Sequence, residues 1–167
     1  MIRKQASLLI VEDNVLDREC YERFLARNAE YDFDIDHCEM GDDALAICRR
    51  NPPDCILLDY HLPDIDGIEF LLAIQNERPG GVMPAVVMIT SQGASSVAVD
   101  AIRHGASDYL VKEDIDEAGL NRVIPNALKA RHGAAHSCIK KHTILVVDDS
   151  AHDRELYKRL LQETSHS

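Results

Sequence analysis

The stretch CILLDYHLPDIDG, residues 55–67, decides the fold that we expect for this chain. Its first four residues form a continuous apolar run, which is typical of a parallel strand buried on both faces. The run ends at Asp59, and we expect Asp64 and Asp66 to shape the following turn and to cap the next helix. Ligands of open α/β sheets bind just outside the carboxyl ends of the strands. We therefore predict that Asp59 lies at the mouth of a binding or reaction site.

Apolar runs of the same kind recur along the chain at the spacing of β–α units. Three further strands are predicted at Leu8–Val11, Ala85–Ile89 and Tyr109–Val111. Residues 31–38, YDFDIDHC, alternate mostly apolar with acidic residues, which predicts a half-exposed strand near a sheet edge. Helical patterns separate these strands. Strands that alternate with helices predict a doubly wound, five-stranded parallel α/β sheet with helices on both faces, which ends near residue 132.

The first and last helices carry the most specific local signals. Asn14 is the predicted N-cap of the first helix, with Asp17 in its first turn. The buried stripe of this helix is predicted to consist of Leu16, Cys20, Tyr21, Phe24 and Leu25. The last helix is expected between about Asp116 and Arg131. Pro125 in that stretch predicts a kink or a later start, because proline lacks an amide donor.

The composition excludes several classes of protein. The 167 residues carry a net charge of −11 and no long basic stripe, which argues against binding of nucleic acid by this domain. No apolar stretch approaches the length of about 18 residues that a membrane span requires, and the N-terminus lacks a signal-peptide pattern. The five cysteines form no C-x-x-C pair, so neither a disulfide framework nor a structural zinc site is expected. We expect a soluble, cytoplasmic protein without a membrane segment.

The end of the chain repeats its beginning. Aligning residues 7–25 (SLLIVEDNVLDRECYERFL) with residues 143–161 (TILVVDDSAHDRELYKRLL) gives nine identities in 19 positions without a gap. We therefore expect one whole domain over residues 6–132 and a linker over residues 133–142. Residues 143–167 are predicted to be the first strand and helix of a second, truncated domain.

The repeated segment lacks most of a working domain. At an offset of 136 residues, its counterpart of Asp59 would fall at position 195, beyond the chain. One strand and one helix cannot bury their own apolar faces. We expect the segment to dock on a whole domain, of its own or a neighbouring chain, or to form a dimer by swapping.

Charged and polar side chains follow four of the predicted strands. These strands end at Glu12 and Asp13, at Asp59, at Thr90 and at Lys112. Because parallel strands deliver their carboxyl ends to one edge of the sheet, we expect these side chains to converge. Three carboxylates in one pocket repel one another unless cations hold them. Lysine supplies one charge, and Mg²⁺ suits the remaining oxygen ligands. An ionised Asp59 could then attack a phosphoryl group, with Thr90 and Lys112 contacting the phosphoryl oxygens.

Four motifs in this order and spacing resemble the receiver domain of bacterial response regulators: SLLIVEDN, ILLDYHLPDIDG, VVMITSQG and DYLVKED. The resemblance covers roughly residues 6–131 and implies a flavodoxin-like fold with strand order 2-1-3-4-5. It also implies a signalling domain rather than an enzyme. Asp59 would be the phosphoacceptor, charged by a histidine kinase or a histidine phosphotransfer protein in two-component signalling.

The same resemblance implies roles for the other residues. Mg²⁺ would be organised by Glu12, Asp13, Asp59 and the backbone carbonyl of His61, with Glu12 acting through water. Lys112 would contact the phosphoryl group, and Thr90 and Tyr109 would form a switch pair. The face built from the fourth helix, the fifth strand and the fifth helix would present the change to a partner or an output domain.

One residue departs from the usual pattern of that family, and two others occupy positions that vary within it. Glu113 follows the motif lysine where the family usually has proline. The Lys112–Glu113 peptide is therefore either cis, at a cost of about 3 kcal/mol, or the loop differs locally. His61 and Gln92 occupy positions that tune the lifetime of the phosphoaspartate in this family.

Two other functions use the same kinds of residue. A haloacid-dehalogenase-like phosphatase also combines an aspartate nucleophile, Mg²⁺, a hydroxyl and a lysine. That family carries a second aspartate two residues after the nucleophile on the first strand, whereas Asn14 and Val15 follow Asp13 here. A pseudo-receiver would keep the fold as an interaction module that is never phosphorylated.

Overall fold

The architecture is a single parallel sheet between two layers of helices, in a computed structural model that describes residues 2–77, 82–91 and 95–135. The strands are β1 (Lys4–Val11), β2 (Tyr31–Cys38), β3 (Cys55–Asp59), β4 (Ala85–Thr90) and β5 (Asp108–Val111). All neighbouring pairs are parallel, and the order is β2-β1-β3-β4-β5. The predicted fold and the predicted edge position of β2 are confirmed. The last helix extends to Ala135, so the predicted start of the linker at residue 133 is wrong. The rest of the predicted linker, residues 136–142, and the repeated segment, residues 143–167, lie outside the described residues.

Strand β1 begins four residues earlier than its apolar run predicts. Its first half, from Lys4, pairs with β2 alone, and pairing with β3 begins only at Leu8. A half-strand next to one neighbour at the sheet edge needs no continuous apolar run. The hydrophobic pattern therefore marked only the part of β1 that is buried on both faces.

Five helices connect or follow the strands. They are α1 (Val15–Leu25), α2 (Gly41–Arg50), α3 (Gly67–Glu77), α4 (Ser95–Arg103) and α5 (Glu117–Ala135). A short 3-10 turn, Lys112–Asp114, follows β5, and the Lys112–Glu113 peptide is trans. Helix α5 runs through Pro125, so the predicted later start is wrong. None of the helices in the described part of the chain is long and apolar enough to cross a membrane.

The sheet separates two hydrophobic cores, because successive side chains of a strand point to opposite faces. Helices α1 and α5 cover the core that contains Leu8, Ile10, Leu57, Val87 and Ile89. Helices α2, α3 and α4 cover the core that contains Leu9, Val11, Ile56, Leu58, Val86 and Met88. The three central strands are thus apolar on both faces, as the continuous runs predicted.

The buried face of α1 differs from the predicted stripe. The Asn14 side chain caps the helix as predicted, and its Oδ1 accepts hydrogen bonds from the amides of Leu16 and Asp17. However, the fully buried positions are Arg18, Tyr21 and Leu25, at helical spacing, while Leu16 is 74% exposed. Leu16 lies two residues before Arg18, which places it on the opposite side of the helix. Its assignment to the buried stripe was therefore wrong.

Two aspartates fix the loop that follows β3. Asp66 caps α3 as predicted, because its Oδ1 accepts hydrogen bonds of 2.8 Å from the amides of Ile68 and Glu69. Asp64 does not cap α3. Its carboxylate accepts hydrogen bonds of 2.9 and 2.8 Å from the amides of Gly41 and Asp42, at the start of α2. The loop is thereby tied to the neighbouring helix.

Asp54 directly precedes β3 and links three elements at the edge of the sheet opposite Asp59. Its Oδ2 accepts hydrogen bonds from the Ser7 amide at 3.0 Å and the Ser7 hydroxyl at 3.1 Å. Its Oδ1 lies 2.5 Å from the Arg131 guanidinium of α5. Partial burial would raise the pKa of Asp54, but the hydrogen bonds from Ser7 and the contact with Arg131 outweigh it and lower the pKa. The carboxylate links β1, β3 and α5.

We predict that Asp54→Asn lowers the free energy of unfolding at neutral pH by about 1 kcal/mol, a modest loss because 37% of the side chain is exposed and water screens the pair. Since the folded-state pKa is lowered, this stabilisation is complete above the unfolded pKa of about 4 and is lost as the pH falls through the folded value. Urea unfolding at about pH 7 and about pH 3.5 should show the difference shrinking.

Asp36→Asn is the matched control, because Asp36 is an exposed aspartate on the edge strand β2. This variant should unfold like the unmodified protein at both pH values. A loss for Asp54→Asn that is equally large at both pH values would contradict the assigned role of its charge.

Candidate functional site

Strand pairing places two carboxylates side by side at the carboxyl edge of the sheet. Val11 of β1 lies opposite Leu58 of β3, so the next residues, Glu12 and Asp59, are neighbours. Both side chains are almost fully buried, at 1% and 6% exposure. Asp13 is exposed at the rim, and its carboxylate oxygen lies within 4.8 Å of ligand oxygens of Glu12 and Asp59. The predicted convergence of the three acidic residues is thus observed.

Lys112 supplies the positive charge of the site. It follows β5 directly, and its Nζ lies 3.0 Å from Asp59 Oδ2, 2.9 Å from Glu12 Oε2 and 3.1 Å from Glu12 Oε1. The same Nζ lies 3.0 Å from Oδ2 of Asp17, in the first turn of α1. One ammonium therefore contacts three carboxylates. An ion pair of this kind compensates the charges that burial would otherwise leave isolated.

Burial and charge oppose each other at both Glu12 and Lys112, and the pKa is raised at both. Burial raises the pKa of Glu12 to about 7, with a further increase from the negative charge of Asp59, although contact with Lys112 opposes both. For Lys112, partial burial lowers the pKa, but hydrogen bonds to Glu12, Asp17 and Asp59 outweigh it and raise the pKa. Lys112 thus stays protonated at neutral pH, whereas Glu12 lies close to its midpoint.

The oxygens of the acidic residues suit a hard divalent cation. Glu12 Oε2 is buried and accepts no hydrogen bond, since the nearby ammonium contacts it without hydrogen-bond geometry. Opposite ligands of an octahedral Mg²⁺ ion lie about 4.2 Å apart. One oxygen from each of Glu12, Asp13 and Asp59 lies within 4.8 Å of the others, which is close enough for the three residues to share one ion. The residues present therefore fit Mg²⁺.

His61 lies next to this group on the loop after β3. Its backbone amide donates a hydrogen bond of 3.2 Å to Asp59 Oδ1, and the residue forms an isolated bridge with Asp66. Asp59 therefore has one oxygen on a backbone amide and the other on Lys112. The ligand role of the His61 carbonyl stays a prediction.

The two predicted switch residues occupy different environments. Thr90 ends β4 beside Val111 of β5 and is only 2% exposed. Tyr109 of β5 is 41% exposed, which shows that its ring is not part of the core. Gln92, the other predicted tuning residue, lies outside the described residues. The structure thus places Thr90 in a buried position at the carboxyl end of β4 and Tyr109 at the surface.

Sequence reasoning missed two residues of α1 that belong to the surroundings of the site. Asp17 was assigned only to the first helical turn, yet it contacts Lys112. The buried guanidinium of Arg18 donates to the Glu12 carbonyl at 2.9 Å and to Glu39 Oε1 at 3.1 Å. A signal was available, because the internal repeat retains both residue types as Asp153 and Arg154.

Tyr21, one helical turn after Asp17, adds a neutral polar group to this region. Its hydroxyl is buried without a hydrogen-bond partner. Burial raises the pKa of Tyr21, and the negative charge of Glu12 raises it further. The phenol therefore stays protonated at neutral pH and adds no charge to the acidic group.

Comparison with known proteins identifies the family. Residues 8–124 match the response regulator receiver domain family. The regulatory protein LuxO of Vibrio cholerae is 38% identical over 126 residues, which cover 74% of this chain but only 26% of LuxO. The chain therefore spans about a quarter of the length of this relative.

Two solved structures agree in fold. A signal receiver domain from Vibrio parahaemolyticus, assigned to a LuxO repressor protein, is 30% identical with a TM-score of 0.67, covering 81% of this chain and 99% of its own. A structure from Chloroflexus aurantiacus, assigned as a response regulator, is 31% identical with a TM-score of 0.67, covering 75% and 99%. These matches indicate a signalling domain rather than a catalytic one, with a histidine kinase as the implied kind of partner. Because the family match spans more than half of the chain and contains the acidic strand ends, the chain belongs to the response regulator receiver domain family of two-component signalling.

Proposed function

We propose that Asp59 is the phosphoacceptor of this domain, charged in the cytoplasm by a histidine kinase or a histidine phosphotransfer protein. The observation that carries the proposal is the contact of 3.0 Å between the buried Asp59 carboxylate and Lys112, in a group of three acidic residues whose oxygens lie within 4.8 Å of one another. Transfer breaks the P–N bond of the donor phosphohistidine and forms a P–O bond with the Asp59 carboxylate. The reaction needs an ionised, well-oriented carboxylate more than it needs proton transfer.

The described residues support each requirement of this transfer. The His61 amide and the Lys112 ammonium hold the two oxygens of Asp59 in fixed directions. Lys112 also offers a charge that can contact a phosphoryl oxygen once the group is in place. Thr90, which ends the neighbouring strand, would donate its hydroxyl to another phosphoryl oxygen. Orientation and charge neutralisation are the terms that dominate phosphoryl transfer.

Mg²⁺ is the proposed cofactor, and Glu12, Asp13, Asp59 and the His61 carbonyl would hold it. When bound, the ion neutralises charge on the phosphoryl oxygens. The buried, unbonded Oε2 of Glu12 supports its role as a ligand through water. Hard oxygen ligands of this kind favour Mg²⁺ over softer metals.

The proposed output surface is the face built from α4, β5 and α5. Phosphorylation adds about −1.5 to −2 charges at Asp59, and the Thr90 hydroxyl would turn toward them. Tyr109, now 41% exposed, would then move inward. Val99 and Ile102 of α4 are also exposed apolar residues, at 52% and 46%. A partner or output domain that packs on Val99 and Ile102 would respond to the movement of Tyr109.

Turnover of a phosphate ester would indicate the phosphatase, and the absence of phosphoryl uptake would indicate the pseudo-receiver. The phosphatase alternative lacks support because the family match is to a signalling domain. A pseudo-receiver would keep the fold but take up no phosphoryl group. The acidic group and Lys112 together favour the phosphoacceptor over the pseudo-receiver.

We predict that acetyl phosphate or beryllofluoride with Mg²⁺ modifies the domain at Asp59 and that Asp59→Asn abolishes the response. The asparagine amide cannot act as the nucleophile, although its size is nearly unchanged. Phosphoryl uptake measured by intact mass, and beryllofluoride binding followed by NMR, check the prediction. Asp114→Asn is the matched control, because Asp114 is an exposed aspartate in the turn after Lys112. Equal uptake in Asp59→Asn, or none in the unmodified protein, would refute the proposal.

We predict that Mg²⁺ affinity weakens as the pH falls below about 7. Burial raises the pKa of Glu12 to about 7 in the metal-free protein, so the proton must leave when the cation binds. The apparent affinity should fall by at most about tenfold per pH unit below that value and level off above it. Calorimetric titration in buffers of different ionisation enthalpy also counts the released protons.

Glu12→Gln provides the control for this pH dependence. Its Mg²⁺ affinity should be weaker and nearly independent of pH between about 6 and 8, because the titrating carboxyl is gone. An affinity of the unmodified protein that is constant over this range would contradict the role of Glu12.

We also propose that residues 143–167 begin a second receiver-like unit that follows the linker at 136–142. The nine identities between residues 7–25 and residues 143–161 support this arrangement. If the segment packs on a whole domain or swaps between chains, removing it should lower the melting temperature or the number of chains per particle. Light scattering and thermal unfolding of the full chain and of a chain ending at residue 136 test this. If both chains are monomers with the same melting temperature, the packing hypothesis is refuted.

A further inference from the structure

Three carboxylates share the Lys112 ammonium. Oxygens of Glu12, Asp17 and Asp59 lie within 3.0 Å of Nζ, which carries three N–H donors. Glu12 and Asp59 are buried residues of the acidic group. Asp17 lies outside that group and its side chain is 32% exposed. A new partner for Lys112 must therefore compete with these three contacts.

Helix α1 holds Asp17 in place. The Asn14 cap lies immediately before the first turn, and its Oδ1 accepts a hydrogen bond of 3.4 Å from the Asp17 amide. The next residue, Arg18, is buried and bonded to the Glu12 carbonyl and to Glu39. Lys112, in contrast, carries its ammonium on a flexible chain of four carbons. If the ammonium moves toward a group on Asp59, its contact with Asp17 weakens, because the backbone of Asp17 stays in place.

We propose that Asp17 is a positioning residue that holds Lys112 away from the phosphoryl group and so disfavours the phosphorylated state. This inference rests on the proposed function, in which Lys112 contacts a phosphoryl oxygen. The Asp17 carboxylate and the incoming phosphoryl group compete for the same ammonium. Its negative charge also repels the added charge at short range. Removing the carboxylate removes one of the three ion-pair partners of Lys112.

A purely structural role for Asp17 predicts no gain in the binding of a phosphoryl analogue when its charge is removed. A carboxylate in the first turn of a helix stabilises that helix through the macrodipole. If this were its whole contribution, neutralising Asp17 would only lower the stability of the protein. It would not improve the binding of a phosphoryl analogue. The sign of the change in binding therefore separates the two roles.

The test measures beryllofluoride binding to the full chain at saturating Mg²⁺. We expect Asp17→Asn to bind beryllofluoride about two- to fivefold more tightly than the unmodified protein, a change of the size measured for partly exposed ion pairs. Asp17→Ser, a second neutral variant, should do the same, so the test does not depend on one variant folding. Asp17→Glu keeps the charge and should restore the unmodified affinity.

Glu19→Gln is the matched control, because it removes one exposed charge from the same helix without a contact to Lys112. It should leave the affinity unchanged. If both neutral variants bind like Glu19→Gln, or more weakly, the positioning role of Asp17 is overturned while the phosphoacceptor role stands. If the unmodified protein takes up no beryllofluoride at Asp59, both proposals are overturned.

Discussion

The contact of Lys112 with the buried carboxylates is the interaction on which the site depends. Glu12 and Asp59 are held at the ends of adjacent strands with almost no access to water. Two such charges at close range would raise each other's energy unless a cation compensates them. Lys112 reaches them from β5, across β4, so the order of the strands is a condition for the site. The sheet that forms the core therefore also brings the Lys112 ammonium to the Glu12 and Asp59 carboxylates.

In this arrangement a divalent ion could replace the Lys112 ammonium as the cation beside Glu12. With Lys112 as the near cation, Glu12 keeps one oxygen without a hydrogen bond and has a pKa near 7. A divalent ion would satisfy that oxygen and shift Glu12 to its ionised form. Lys112 could then serve a group on Asp59 instead of the carboxylates alone. Under the proposed function, the same side chain would act first as a counter-ion of the carboxylates and then as a contact of the phosphoryl group, with Asp17 as the proposed competitor.

Hydrogen bonds from the loops to the helix starts give the site its rigidity. Asp64 ties the β3–α3 loop to the start of α2, and Asp66 caps α3. At Gly41 a Cβ would clash with the side chain of Ile65, so glycine lets the loop approach without a shift of that side chain. Arg18 fixes the carbonyl of Glu12. These contacts hold the carboxyl edge of the sheet, where the acidic residues lie, while Asp54 links β1, β3 and α5 at the other edge.

The sequence alone determined the sheet, its edge strand, the Asn14 cap and the acidic strand ends, because hydrophobic period and capping chemistry are written within a few neighbouring residues. The family resemblance added the strand order. Only the tertiary structure decided which face of α1 is buried, that Asp64 caps α2 rather than α3, and that Asp17 contacts Lys112. Each of these depends on residues far apart in the chain. Their distances are set by how helices and loops pack on the sheet, which no local pattern encodes.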